Sequence, residues 1–322
     1  NDWISGWDGF FFTPSHPQTL ATIRIATAAM LLYTHVIVAA NLSSFLGQDA
    51  WISNELAQDL NGGRYMPPGM SESAAGTYLS GIDSPAVLML HQAFTILVTL
   101  CFMLGLGTRI TAPLAWFLQL QYMHRMVGAL FGLDQITSML AMYLMLSNCG
   151  AVWSIDAFLQ RRFADHPMAK SAWFARLLPT PGCAICNTIA TRLIQLHLCV
   201  IYLYGGLWKA RGVRWWDGTA TWTSVANAEY QSMDMTWISE YPFLFSLATH
   251  VTIFWEVFYC ALVWSRKTRP LVLVMAVIVH GGIAMSLGMI TFGSIMIVAN
   301  LAFVSPELIR SLTPKSDAST GD

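Results

Sequence analysis

Charge is what this chain lacks most. Only 11% of its 322 residues are Asp, Glu, Lys or Arg, where soluble domains carry about 25%; 55% are hydrophobic and the mean hydropathy is +0.51. That composition excludes a water-soluble surface and points to a polytopic membrane protein. The formal net charge of -1 and the absence of any Lys/Arg cluster exclude a nucleic-acid partner. Residues 1 to 17 hold no Lys or Arg and no long apolar core, so no cleavable signal peptide is expected and targeting falls to the first span. No repeat recurs at a fixed period and no stretch reads as a soluble domain, so residues 1–322 are expected to form one membrane domain. Cysteine is sparse: of six, only Cys183 and Cys186 form a C-x-x-C, in TPGCAICN, with no second pair and no neighbouring histidine in the sequence. That is a weak metal or redox signal, and no metal site is expected. Cys101, Cys149, Cys199 and Cys260 lie in or beside apolar segments and read as small packing residues.

What is present is a series of apolar runs. The opening WISGWDGFFFTPSHP is aromatic, acidic and broken by Pro14 and Pro17, as suits a short amphipathic interfacial segment. Eight spans follow, at about Leu20–Ala40, Ala86–Leu106, Ile110–Met123, Gln135–Asn148, Ile189–Trp208, Pro242–Trp264, Leu271–Leu287 and Met289–Val304. The expected fold is therefore an all-α bundle of about eight transmembrane helices with short amphipathic interfacial pieces, WSIDAFLQRRFADH among them. Residues 42–85 and 209–241 read as long loops. Arg24, His35 and Glu256 fall inside spans, where charge is costly unless it faces the bundle interior. Arg24 and Glu256 are thus the candidate intramembrane charges, and one reading pairs Glu256 with Arg24 or another interior cation.

Eight spans put both termini on one side of the cell membrane. That side would hold ten Lys/Arg residues, among them Arg109, Arg161, Lys170, Arg176 and Lys315, against five on the other, Arg64, Arg125, Lys209, Arg211 and Arg214. The imbalance predicts cytoplasmic termini and places the loops around Gly62 and Trp216 outside.

The stretch VIYLYGGLWKARGVRWWDGTATW, Val200 to Trp222, organises the candidate site. An apolar helix loses its side chains at Gly205-Gly206 and ends at Lys209, beside Trp208, Trp215 and Trp216. Lys209 has two readings: an interfacial lysine snorkelling beside an aromatic belt, or a desolvated lysine able to act as a base, which requires burial away from any carboxylate. The same topology brings Asp134, His124 and His280 toward the outer face. Asp134 also reads as a cap for the fourth span, His124 as an interfacial residue and His280 as a satisfied interior histidine.

In HPQTLATIRIA, LGLGTR, AVWSIDAFL, YGGLWKARGVRWWDGTA and VIVHGGIAMSLGMITFGSI, taken in order over about Ser15 to Glu307, the chain resembles the transmembrane part of the vitamin K-dependent gamma-carboxylase family, in its bacterial HTTM (horizontally transferred transmembrane) branch. The resemblance puts Lys209 in the place of the family's catalytic base. It implies a vitamin K-type hydroquinone as cofactor, with O2 and CO2. In the family the deprotonated hydroquinone reacts with oxygen to give a strong base and an epoxide; the base takes a glutamyl gamma proton, and CO2 adds. Where the animal enzyme has a histidine before the fourth span this chain reads FGLDQIT, which makes Asp134 the aligned catalytic candidate beside Lys209 and His280. Gly205, Gly206, Trp208 and Trp215 are the candidates for holding the quinone-like ring. The implied partners are membrane lipid, a quinone-like small molecule and a peptide or small carboxylate substrate. The family's large extramembrane substrate-holding domain is not found in the 322 residues, so two other functions stay open: a non-carboxylating maturation, export or immunity protein, and a quinone- or lipid-binding scaffold.

Overall fold

The computed structural model describes residues 2–62, 76–163, 166 and 178–312. Arg64, Lys170, Arg176 and Lys315, four of the cations used above for orientation, lie outside the described residues. Among the described residues the fold is all-helical, without a strand. Five helices are long and apolar enough to cross a membrane: Gln18–Ala40, Pro85–Leu104, Ile185–Lys209, Pro242–Leu262 and Arg269–Ser286. A sixth crossing is reached if Ile290–Phe303 and Pro306–Leu312, bent by 112° at their junction, count as one span.

The other expected spans fall short of that test for visible reasons. Thr108–Arg125 has 18 residues but carries Arg109, Gln119, Gln121, His124 and Arg125. Gly132–Leu144 has 13 residues, a rise of about 20 Å against a hydrocarbon core of about 30 Å. It begins three residues before the expected start and stops four before the expected end.

The chain divides into two compact units, Asn1–Ala190 with Ser305–Asp322, and Thr191–Val304. The first holds α1 (Asp2–Phe11), α2 (Gln18–Ala40), α3 (Leu42–Leu46), α4 (Asn54–Gly62), α5 (Pro85–Leu104), α6 (Thr108–Arg125), α7 (Gly132–Leu144), α8 (Ile155–Arg162) and the first turns of α9 (Ile185–Lys209). The segment read as one loop from 42 to 85 contains α3, α4 and a 3-10 turn at Tyr78–Gly81, so that expectation is corrected. α4 forms because the Ser53 hydroxyl accepts the Leu56 N–H at 3.1 Å, an N-cap bond too short in range to show in hydropathy.

α5 and α7 pack on both α2 and α6. One polar knot ties their ends. The α5–α6 connection turns on Gly105 (φ 71) and Gly107 (φ 58), left-handed positions that suit glycine. Asp156, buried in the first turn of α8, accepts the backbone N–H of Gly107 at 2.7 Å and of Thr108 at 2.8 Å, and the Thr108 hydroxyl at 2.8 Å. A carboxylate is thus seated on the free N–H groups that open α6, where the helix dipole favours it. Arg24 of α2 is wholly buried beside this knot and donates to the carbonyls of Cys149 at 2.9 Å and Trp153 at 2.7 Å.

The second unit continues α9 from Thr191 and adds α10 (Val213–Trp216), α11 (Ala220–Val225), α12 (Pro242–Leu262), α13 (Arg269–Ser286) and α14 (Ile290–Asn300). α15 (Pro306–Leu312) returns to the first unit. Pro242 and Pro270 open α12 and α13, where a missing N–H costs nothing. The stretch 209–241, expected as a loop, carries α10, α11 and a 3-10 turn at Thr236–Glu240. It is held onto α12 by Thr221 N–H donating to Thr249 Oγ1 at 3.0 Å, and onto the end of α13 by Ser232 Oγ donating to the Met285 carbonyl at 2.6 Å. α13 and α14 form a tight hairpin because Gly293 has no side chain: a Cβ there would run into the His280 carbonyl.

Candidate functional site

Lys209 closes α9, and its ammonium lies 2.5 Å from both Oε1 and Oε2 of Glu256 on α12. The lysine side chain keeps 30% exposure and the glutamate 8%. Glycine builds this pair. At Gly206 a Cβ would stand 2.9 Å from the Val257 nitrogen and 2.8 Å from its Cγ2, so α9 and α12 approach backbone to backbone, and Lys209, one turn later, meets Glu256. Gly205 is roomier, with a Cβ 3.6 Å from Glu256 Oε2 as its nearest contact. An asymmetry follows: Gly206→Ala is expected to cost about 1–3 kcal/mol by overpacking and Gly205→Ala less than about 0.5 kcal/mol, read as thermal midpoints of the purified variants. Equal midpoints would remove the close approach as the cause.

The condition set for a basic lysine, burial away from any carboxylate, is therefore not met. The acid that arrives is Glu256, from 47 residues away, and not Arg24's partner: Arg24 lies in the first unit, on the two carbonyls already described. Asp217, nearer in sequence, is turned to Thr219, accepting its hydroxyl at 2.6 Å and its N–H at 2.9 Å. The Thr219 hydroxyl, more than its backbone N–H, holds this exposed carboxyl below the usual range. Trp215 is brought to the pair, with Lys209 Nζ 5.5 Å from its ring centroid, a cation–π distance. Trp208 is not: it is 73% exposed and its outer ring carries the Arg211 guanidinium at 4.9 Å. Gly206, expected to let another helix or a flat ring approach the backbone, is taken up by a helix, packing against Val257 of α12.

Deeper in the same unit lies a network that the sequence reading missed except for His280. Asn300 Nδ2 donates to the Tyr202 hydroxyl at 2.8 Å and to the Met296 carbonyl at 2.9 Å; Tyr259 donates to Asn300 Oδ1 at 2.6 Å. The Tyr202 hydroxyl also lies 2.8 Å from His280 Nε2. The second ring nitrogen of His280 is Nδ1. That Nδ1 is buried and has no partner. Trp255, Tyr259 and Phe292 pack around the His280 and Tyr202 rings, with Tyr202–Tyr259 centroids 4.0 Å apart. The pair at the end of α9 acts electrostatically on this network, Lys209 on His280 and Glu256 on Tyr202. Spacing was the available signal: Tyr202 and Lys209 are seven residues apart on α9, Glu256 and Tyr259 three apart on α12, each couple on one helix face.

Asp134 belongs to the first unit, where its carboxylate accepts the Phe131 N–H at 3.2 Å at the start of α7; it caps its own helix. His124 is exposed near the end of α6 in that unit. Of the expected catalytic and ring-binding residues, the second unit gathers Lys209, Trp215, His280 and Gly205. It adds Glu256, Tyr202 and Asn300. The class this defines is, among the described residues, an all-helical protein with five helices long and apolar enough to cross a membrane and, in its second unit, a lysine–glutamate pair beside a buried aromatic and imidazole network. No protein-family model, no curated protein and no solved structure matches this chain.

Proposed function

We propose that the protein is an integral membrane protein of the vitamin K-dependent gamma-carboxylase-like, HTTM type. In this reading it crosses the cell membrane eight times with α6, α7 and α14 completing the count, keeps both termini in the cytoplasm, and uses its second unit to bind a hydroquinone and move its proton. The observation that carries the reading is the Lys209–Glu256 pair set against Trp215.

The residues fit a flat aromatic diol on two counts. Trp215 and Lys209 offer a ring face and a cation, and the buried His280 Nδ1, without a partner, is a polar atom left for a ligand. When bound, such a quinol would supply two electrons and two protons, the first proton passing to the protein. Glu256 changes which residue receives that proton. An ammonium–carboxylate pair already holds one proton between its partners, so the free acceptor site is the carboxylate, while the ammonium stays positive and holds the negative charge left on the donor oxygen. Glu256 is then the proton acceptor and Lys209 the electrostatic partner. The Tyr202–His280 link is a hydroxyl–imidazole relay behind them. Asp134 has no part in this step.

The test is oxidation of a vitamin K-type quinol to its epoxide, under oxygen, by the purified protein in nanodiscs. Wild type is expected to turn over, and Glu256→Gln and Lys209→Ala to lose at least about a hundredfold, the lower range of general acid–base contributions. Lys209→Arg, which keeps the positive charge, is expected to retain more activity than Lys209→Ala; an inactive Lys209→Arg beside an active Glu256→Gln returns the base role to lysine. Binding without turnover in wild type favours the scaffold function, and neither binding nor turnover the maturation, export or immunity function. Orientation is tested with Asp234→Cys and Ser265→Cys, both exposed positions, in a background without native cysteines. Only Asp234→Cys is expected to react with an impermeant thiol reagent on intact cells; reaction at Ser265→Cys overturns the topology.

A further inference from the structure

The C-x-x-C at the head of α9 is a motif that the proposed function does not use. Its two thiols are free, Cys183 exposed and Cys186 half-buried. The sequence shows no histidine near them, but the fold supplies one: Cys183 Sγ lies 3.3 Å from Nδ1 of His16, 167 residues earlier.

This contact is built into the first unit. The residues preceding His16 and following Cys183 pair as an isolated bridge: Ser15 N–H donates to the Ala184 carbonyl at 3.2 Å and Ala184 N–H to the Ser15 carbonyl at 3.1 Å. Asn187, buried in the first turn of α9, donates from Nδ2 to the Ser15 carbonyl at 3.0 Å, and the Thr188 hydroxyl bonds the Thr13 carbonyl. Pro17 is buried and limits the chain just after the histidine. The segment 13–17 is thus clamped across the start of α9, which fixes the imidazole beside the thiol. Gly182, at φ 91, makes the turn that presents Cys183 outward. Cys186 falls in the first turn of α9, three residues on. An exposed sulfur with a proton acceptor at hydrogen-bond distance, and a second sulfur across one turn, is the arrangement of an attacking and a resolving cysteine.

We propose that Cys183 and Cys186 form a redox-active dithiol that reduces disulfides by thiol–disulfide exchange, with Cys183 as the attacking residue and His16 as its proton acceptor. Cys183 gives its proton to His16 and its sulfur attacks one sulfur of the substrate disulfide. The substrate S–S bond breaks, a Cys183–substrate S–S bond forms, and the departing thiolate takes the proton back from His16. Cys186 then attacks the Cys183 sulfur, releases the second substrate sulfur as a thiol with the Cys186 proton, and closes the Cys183–Cys186 disulfide. In total the dithiol loses two electrons and two protons, and the substrate disulfide gains them as two thiols. The substrate class is an accessible disulfide, in a peptide or a small thiol compound.

The test uses the full chain in detergent micelles with glutathione disulfide as probe and peptide mass spectrometry as readout. In Cys186→Ser the glutathione is expected on Cys183, and in wild type the expected product is the Cys183–Cys186 disulfide, reopened by dithiothreitol. His16→Gln is expected to slow capture at Cys183 about tenfold near neutral pH, the effect closing at about pH 9.5, where thiols ionise unaided. A parallel arm with insulin in place of glutathione disulfide identifies whether a peptide or a small disulfide reacts faster; reaction with either supports the proposal. Capture at Cys186 in preference to Cys183, or no reaction with either disulfide faster than at Cys101, overturns it. So does tight zinc that blocks both thiols. Because His16→Gln leaves the thiols in place, a folding failure of one cysteine variant does not decide the outcome. None of these readouts depends on quinol oxidation.

Discussion

Arg24→Met is expected to lower the thermal stability of the protein by about 3 kcal/mol, the sum of two stranded carbonyls at about 1–2 kcal/mol each. The guanidinium is wholly buried and bonds the Cys149 and Trp153 carbonyls, both in the connection between α7 and α8. Trp153 holds φ at 49, a left-handed position unfavourable for a bulky residue, so the bond from Arg24 stabilises a conformation the chain would otherwise leave. Gly105 packs tightly against the guanidinium: a Cβ there would sit 2.6 Å from Nη1. Asp156, which acts electrostatically on Arg24, ties the same connection to the start of α6. Asp156→Asn keeps one acceptor oxygen but loses the charge at the helix N-terminus, and is expected to cost about 1–2 kcal/mol. The two substitutions share one network and are expected to be non-additive. Thermal unfolding in detergent, followed by helical circular dichroism, measures all three; an Arg24→Met midpoint within a degree of wild type would show that the connection holds without it.

Composition and periodicity carried the long apolar helices and little else. Four of the five membrane-length helices start within two residues of the expected positions because Pro17, Pro85, Pro242 and Pro270 bracket them, and the fifth, α9, begins four residues early, at the C-x-x-C. The shorter helices were obscured by their own polarity: Gln119, His124 and Arg125 dilute α6, and α3 and α4 are set by local caps. Pairings across long separations left no trace in a single sequence. Glu256 read as a carboxylate in want of an interior cation, with Arg24 the named candidate, because nothing in the chain marks residue 209 as its neighbour, 47 positions away. Asp156 read as the acid of an amphipathic helix, and it does sit in the first turn of α8, but its carboxylate serves the N-terminus of α6, 48 positions earlier. His16 and Cys183 meet only because the backbone between Ser15 and Ala184 pairs. Lys209 was legible as a helix-ending cation beside aromatics; its partner was not.

The Lys209–Glu256 pair gives the sharpest energetic expectation. Breaking a buried pair by removing one partner costs about 3–5 kcal/mol, and Lys209, still 30% exposed, should bring that figure down. The two single variants are unequal because the stranded partners differ. Lys209→Met leaves a carboxylate with 8% exposure among Tyr202, Trp255 and the α9 backbone, and is expected to cost about 2–3 kcal/mol. Glu256→Met leaves an ammonium on a flexible stem that reaches water and keeps the Trp215 face, so about 1–2 kcal/mol is expected. The double variant Lys209→Met/Glu256→Met strands neither charge and places two apolar side chains where α9 and α12 pack; its stability is expected within about 1 kcal/mol of wild type, or above it. A double-mutant cycle on thermal or denaturant unfolding should therefore return a coupling of about 2 kcal/mol or more. Additive costs would mean that the contact stabilises nothing, whatever part its members play in moving a proton.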